Sequence, residues 1–188
     1  RVEKCKQARL LSKDKGARDL ALTPTIFREQ MNPEHYLLIP CVSSERRTYI
    51  PIGFMDKETI PVMGTIIVPN ATLYHFGVLT SAMHMCWVKY VCGRLKSDFR
   101  YSNTMVYNNF PWPSSTPTQM KKIEAKAQVV LDARKEFEGS TLADLYDPNT
   151  TPPKLTKAHK TLDKAVDELY GKTDFLNEKE RMEFLFDL

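Results

Sequence analysis

The 188-residue sequence has little of what usually announces catalysis. Its 7 glycines form neither a G-x-G-x-x-G nor a G-x-x-x-x-G-K-[ST] loop, the two common ways of cradling a phosphate on backbone amides. There is no G-x-S-x-G elbow and no H-E-x-x-H pair. The 4 histidines, His35, His75, His84 and His159, are scattered without metal-ligand spacing. The 4 cysteines, Cys5, Cys41, Cys86 and Cys92, contain no C-x-x-C pair, so buried, reduced thiols are expected rather than zinc ligands or disulfides. No apolar run approaches the roughly 18 residues of a membrane span. The charged start, Arg1–Ala8, is not a secretory signal pattern. These absences predict a cytoplasmic piece of a longer protein, not itself an enzyme, with no catalytic residue, cofactor site, metal site or membrane contact of its own.

What is present is an ordinary globular composition, 42% hydrophobic and 27% charged, enough for one sizeable core or a medium domain with a smaller second one. The charge is uneven. Residues 1–115 hold 15 Lys/Arg against 9 Asp/Glu, and residues 116–188 hold 12 against 14. A polyanionic partner would therefore meet the first part.

The texture of the chain changes several times. Val2–Ser12 reads as a basic helix and Lys13–Arg18, with Gly16, as a loop. Tyr36–Val42, Tyr49–Phe54 and Thr65–Val68 are short apolar runs, punctuated by Pro40, Pro51, Pro61 and Pro69, which predict edge or irregular strands. Ser43–Thr48 is a polar turn between the first two. His75–Leu95 is apolar nearly all round and predicts one long buried helix, with His84 a packed core histidine. Ser97–Pro113 reads as extended and aromatic. From Thr116 the chain is helical: Thr116, Pro117 and Gln119 make a capping box with proline at the first helical position. That helix is expected to reach about Phe137. Leu142–Tyr146 is a short helical turn, and Lys154–Tyr170 a second long helix ended by Gly171. Asn177 and Glu180 open a last helix whose Met182, Leu185 and Phe186 pack inward. Asp163, Asp167, Lys164 and Glu168 have the spacing of a solvated helix face. The expected fold class is α+β: a mixed α/β domain over residues 1–115 with a long buried helix, then a small all-α domain over 116–188.

Recognition chemistry is the chemistry on offer. If the stretch after the buried helix is extended, Lys96, Asp98 and Arg100 project to one side. A lysine donates to guanine O6 and N7, an aspartate accepts from cytosine N4, and an arginine grips guanine or phosphate. Arg46 and Arg47, with Ser43 and Ser44, are candidate phosphate ligands at a hairpin tip. On the residues alone, exposed mixed-charge turns explain both groups more simply. The string Asn108-Asn109-Phe110-Pro111-Trp112 lacks the adjacent prolines of the N-P-P-[YFW] motif of amino-methyltransferases, and it reads as packing.

Long strings then carry a family likeness. L-L-I-P-x-V-S-S-E-R-R-x-Y-I-P-I-G-F (37–54), V-P-N-A-T-L-Y-H-F-G-V-L-T-S-x-M-H-M-x-W (68–87) and V-C-G-R-L-K-S-D-F-R-Y-S-N-T-x-V-Y-N-N-F-P-W-P (91–113) resemble the target recognition domain of MmeI-like proteins. S-x-L-A-D-L-Y-D-P (140–148) and P-x-L-x-K-A-H-x-x-L-D-x-A-V-D-x-x-Y-G (153–171) resemble the helical domain that ends them. The resemblance implies a larger restriction–modification methyltransferase, some fused to a nuclease, that moves a methyl group from S-adenosyl-L-methionine to adenine N6 in double-stranded DNA, with the base flipped out of the stack. The methyltransferase domain and its cofactor would lie N-terminal to this chain, which would supply sequence choice. It also implies that Lys96 and Asp98 read bases, and that Arg46, Arg47 and Arg100 contact DNA. A separate DNA-specificity subunit and a protein-interaction module stay open as alternatives.

Overall fold

The computed structural model describes residues 1–27, 33–173 and 175–188. The chain divides into two compact units, Arg1–Asn32 and Pro33–Leu188.

The first unit carries helix α1 (Val2–Leu10), helix α2 (Lys15–Asp19) and a 3-10 turn at Leu20–Leu22. The expected loop at Lys13–Arg18 is mostly helical, because the Asp14 carboxylate accepts from the Ala17 N–H and caps α2. Arg9 organises the unit: its guanidinium donates to the carbonyls of Leu20, Thr23 and Ile26 at 2.7–2.9 Å.

The larger unit is built on two small antiparallel sheets and a set of helices. In the first sheet, β1 (His35–Pro40) lies between β3 (Gly53–Asp56) and β4 (Thr65–Pro69). Tyr36, Leu37 and Ile39 of β1 are fully buried. The prolines mark edge strands at β3 and β4, as expected, but not at β1. β1 is central, and Pro40 and Pro69 stand at strand ends, where a missing N–H costs least. In the second sheet, β6 (Asp98–Arg100) lies between β2 (Val42–Ser43) and β5 (Gly93–Leu95). The run expected over Tyr36–Val42 is thus two strands. Cys41 is the joint: its N–H donates to Gly64 and its carbonyl accepts from Tyr101.

The stretch expected to be one buried helix is two, α3 (Leu73–Leu79) and α4 (Ala82–Val91), and then the first strand of a hairpin. Thr80 and Ser81 divide it, since both hydroxyls turn back onto carbonyls, at Phe76 and Val78, and Ser81 also caps α4. Burial holds for Tyr74–Val88 apart from the half-buried His75 and Ala82, but Tyr90 is exposed. His84 is a core residue: its Nδ1–H donates to the Leu79 carbonyl and its Nε2 accepts from Tyr101. Gly77 lets α3 sit close on α5 (Pro117–Lys135), and a Cβ there would meet Ile123 Cγ2 at 2.6 Å. Residues 103–107, expected to be extended, form a single wide π-type turn capped by Ser102.

α5 begins with the expected Thr116–Gln119 capping box. After it come α6 (Leu142–Leu145), α7 (Pro153–Leu169) and α8 (Glu178–Phe186). One hydrophobic core runs from β1 through α3 and α4 to α5 and α7. Leu185 of α8 is buried, whereas Phe186 remains 60% exposed beside the Trp87 ring.

Candidate nucleic-acid interface

The register of the second sheet brings the two candidate segments together. Val42 faces Arg100 and Ser43 faces Phe99 across β2 and β6, while Leu95 faces Asp98 across β5 and β6. Side chains alternate, so Val42, Ser44, Asp98, Arg100, Gly93 and Leu95 share one face, and Ser43, Phe99 and Arg94 the other. The first face is exposed or half-exposed throughout. Beside it is a shallow concavity of about 500 Å³ lined by Cys41, Val42, Gly64, Ile66, Leu95, Arg100, Tyr101, Ser102 and Asn103.

Lys96 does not alternate with Asp98 and Arg100 along a strand, as an extended reading requires. It forms the hairpin tip with Ser97, at φ +56°. Asp98 reaches sideways, and its carboxylate accepts from the Glu45 N–H at 3.4 Å. The Ser43–Thr48 segment is a tight turn. The Arg47 N–H donates to the Ser44 carbonyl and the Arg46 N–H to the Ser44 hydroxyl. Ser44 is therefore half-occupied with the turn. Ser43 is only 2% exposed and lies on the Phe99 face, so it supports the strand from below and does not face solvent. Arg46 is exposed, with one long contact to Asn149 Oδ1 at 3.4 Å. Arg47 is half-buried. Its Nη2 lies 3.5 Å from the Ala143 carbonyl, and its Nε has no partner among the described residues.

The sequence pattern did not single out Arg94. Its guanidinium lies 4.3 Å from the centre of the Phe99 ring and donates to the Ser97 and Lys89 carbonyls, which braces the hairpin. Its alternation with Lys96 and Asp98 in Gly93–Asp98 was the available signal.

The segment after Arg47 is held by the helices. The Tyr49 hydroxyl donates to Asp163 Oδ2 at 2.6 Å, and the Tyr49 ring stacks on His159 with centroids 4.0 Å apart. Asp163 also accepts from the Ala82 N–H at 2.7 Å, and Asp167 pairs with Arg181 at 2.6 Å. These two aspartates are not on a solvated face: they are 8% and 2% exposed. Their partners lie on other elements, which an i,i+4 pattern does not reveal. Burial pushes the Asp163 carboxyl up to about 6, against the two hydrogen bonds that favour its charge. Arg134 is buried with no carboxylate partner among the described residues. It donates to the Ile52 carbonyl at 2.7 Å and to the Tyr146 hydroxyl, which in turn bonds His159 Nε2 at 2.6 Å. Burial, and Arg134 nearby, bring the His159 pKa down to about 3. The Asn108–Trp112 string is packing: Phe110 is buried and the Pro111 carbonyl accepts from Tyr170.

No acidic side chain lines either concavity, the one at the second sheet or a second of about 330 Å³ among Thr48, Tyr49, Tyr146, Thr151, His159 and Lys160. Neither supplies a glycine-rich turn at a helix start. Among the described residues no cluster of three His, Cys, Asp or Glu stands ready for a metal, and no helix is long and apolar enough to cross a membrane.

An exposed sheet face with charged tips, mounted on a helical core, suits the reading of a charged polymer. Comparison with known proteins places it: residues 1–114 match the family "MmeI, target recognition domain" and residues 115–188 match "MmeI, C-terminal domain". The chain belongs to the MmeI family. It is 42% identical over 189 residues to DNA methyltransferase A of Bacillus subtilis (strain 168), covering all of this chain and 21% of that protein. A solved structure of the type IIL restriction–modification enzyme MmeI in complex with DNA is similar at a TM-score of 0.90 and 45% identity, over 99% of this chain and 25% of that one. The chain thus spans a quarter or less of the length of these relatives.

Proposed function

We propose that this chain is the DNA-reading part of a restriction–modification methyltransferase that transfers a methyl group from S-adenosyl-L-methionine to adenine N6. Residues 1–115 do the reading, and the helical residues 116–188 support them. The cofactor and the catalytic motif belong to a methyltransferase domain in the same protein, which is the chain's protein partner; double-stranded DNA is its substrate partner. The observation that carries the reading is the register of the second sheet. It sets the Ser44–Arg47 turn beside the Lys96–Arg100 hairpin, although the two are about fifty residues apart in sequence.

Donors and acceptors at this edge divide by chemistry. Lys96 and Asp98 suit the two edges of a G·C pair, and Arg100 suits guanine or phosphate. Arg46 and Arg47 suit the backbone. The incompletely paired Arg47 guanidinium is what an incoming phosphate oxygen would complete. Ser44 stands with them, and Ser43 acts from beneath the strand.

The test is made in the full-length methyltransferase. Exchanging the pair together, Lys96→Glu with Asp98→Arg, should change the base preference at one position of the methylated site and leave the rest. Each single change should lose activity, at about 1–3 kcal/mol per lost base contact. Arg47→Ala should instead weaken binding to all sequences alike and lower the salt slope by about one. A double exchange that still methylates the original site with unchanged preference sinks the assignment of Lys96 and Asp98.

A further inference from the structure

The Arg46–Arg47 turn meets the second sheet through β2 and through the Glu45 N–H on Asp98, and further support comes from elements distant in sequence. Immediately after it, Tyr49 is fixed twice by α7, through its hydroxyl on Asp163 and its ring on His159. Ile52 is fixed by Arg134 of α5, and the two guanidiniums of the turn themselves lean toward Asn149 and Ala143. The contacts are mutually braced. Tyr146 joins Arg134 to His159, and Asp163 joins Tyr49 to the start of α4. This chain of polar contacts, in which His159 Nδ1 has no partner among the described residues, ties the segment after the turn to three helices, which is the property a positioning device needs.

We propose that Tyr49, His159 and Asp163 are positioning residues for DNA binding: through them the C-terminal helices set where Arg46 and Arg47 stand. The inference rests on the reading that Arg46 and Arg47 meet DNA. None of the three residues touches DNA in this scheme. Each acts on affinity only through the turn it holds.

A double-mutant cycle in the full-length protein tests it, with binding measured to a random-sequence duplex at fixed salt and folding followed by thermal melts. Tyr49→Phe removes one hydroxyl and keeps the ring stacked on His159. It should weaken binding about tenfold, the loss expected when one charge-assisted hydrogen bond no longer fixes the turn. In an Arg46→Ala/Arg47→Ala background the same substitution should have no further effect on binding, because the groups it positions are gone. Ile39→Val, in the buried β1, lowers stability without touching the turn, and its effect on binding should be the same in both backgrounds. A Tyr49→Phe loss of equal size in both backgrounds overturns the positioning role and leaves the DNA reading standing. An Arg46→Ala/Arg47→Ala protein that binds like the parent overturns both.

Discussion

The two sheets of the larger unit each have three antiparallel strands, and the chain passes from one to the other at Cys41. In the first sheet the central strand contributes Tyr36, Leu37 and Ile39, all buried, to the common core. In the second the central strand buries only Phe99 and turns Asp98 and Arg100 outward. Strand pairing alone therefore does not say what a sheet is for. A sheet used as core needs apolar side chains on its strands. A sheet used for display needs one buried anchor and a rigid turn, and its outward positions are left to chemistry.

Three measurements sharpen or break that contrast. Leu37→Ala, at the centre of the first sheet, should cost about 2–5 kcal/mol of stability, read from denaturant unfolding. A loss below 1 kcal/mol would mean that this sheet is not the core element described.

The contact of α7 with the Tyr49 segment is sensitive to acid. His159 refuses a proton in the folded state until about pH 3, whereas the unfolded chain accepts one near 6.5. Its depressed pKa leaves stability whole at neutral pH and lowers it as pH falls through that window, by about 2 kcal/mol at pH 5. Asp163, with its carboxyl raised to about 6, acts oppositely, losing stability as pH rises through that value. It is common to parent and variant and cancels in their difference. His159→Gln should therefore reduce the stability lost between pH 7 and pH 5 by about 2 kcal/mol. An unchanged loss would place the acid sensitivity elsewhere, at His84 for instance.

The smallest stability effect belongs to the display sheet. Arg100→Ala should move stability by no more than about 0.5 kcal/mol. The same variant in the full-length protein should weaken DNA binding measurably. If it unfolds the sheet instead, the outward face is structural.

How far these features were legible depends on the range of the interactions behind them. Thr116, Pro117 and Gln119 announced α5 because a cap is made by neighbours in sequence. The apolar stretch from Tyr74 to Val88 announced burial, but the break at Thr80–Ser81 depends on two hydroxyls choosing carbonyls within their own helix over solvent. The π-type turn at 103–107 left no trace in an aromatic, extended-looking string. Lys96 and Asp98 could be named as candidates, but the shared strand face expected for them does not form, since the hairpin register makes Lys96 the tip. The support under the turn was hidden most completely. Asp163 has an ordinary surface spacing, and its partner Tyr49 is 114 residues away.

Lys96 occupies the hairpin tip at φ +56°, a conformation that costs an ordinary L-residue about 1–2 kcal/mol and that asparagine and glycine bear more easily. The position thus accepts some side chains more readily than others before any base is read. Substitutions to Asn, Asp or Gly relax the tip, and β-branched Val, Ile or Thr strain it. On the proposed reading of Lys96 as a base contact, the specificities reachable by changing this one residue are filtered first by backbone geometry. A library built at the tip should return a skewed alphabet even when it is selected only for folding.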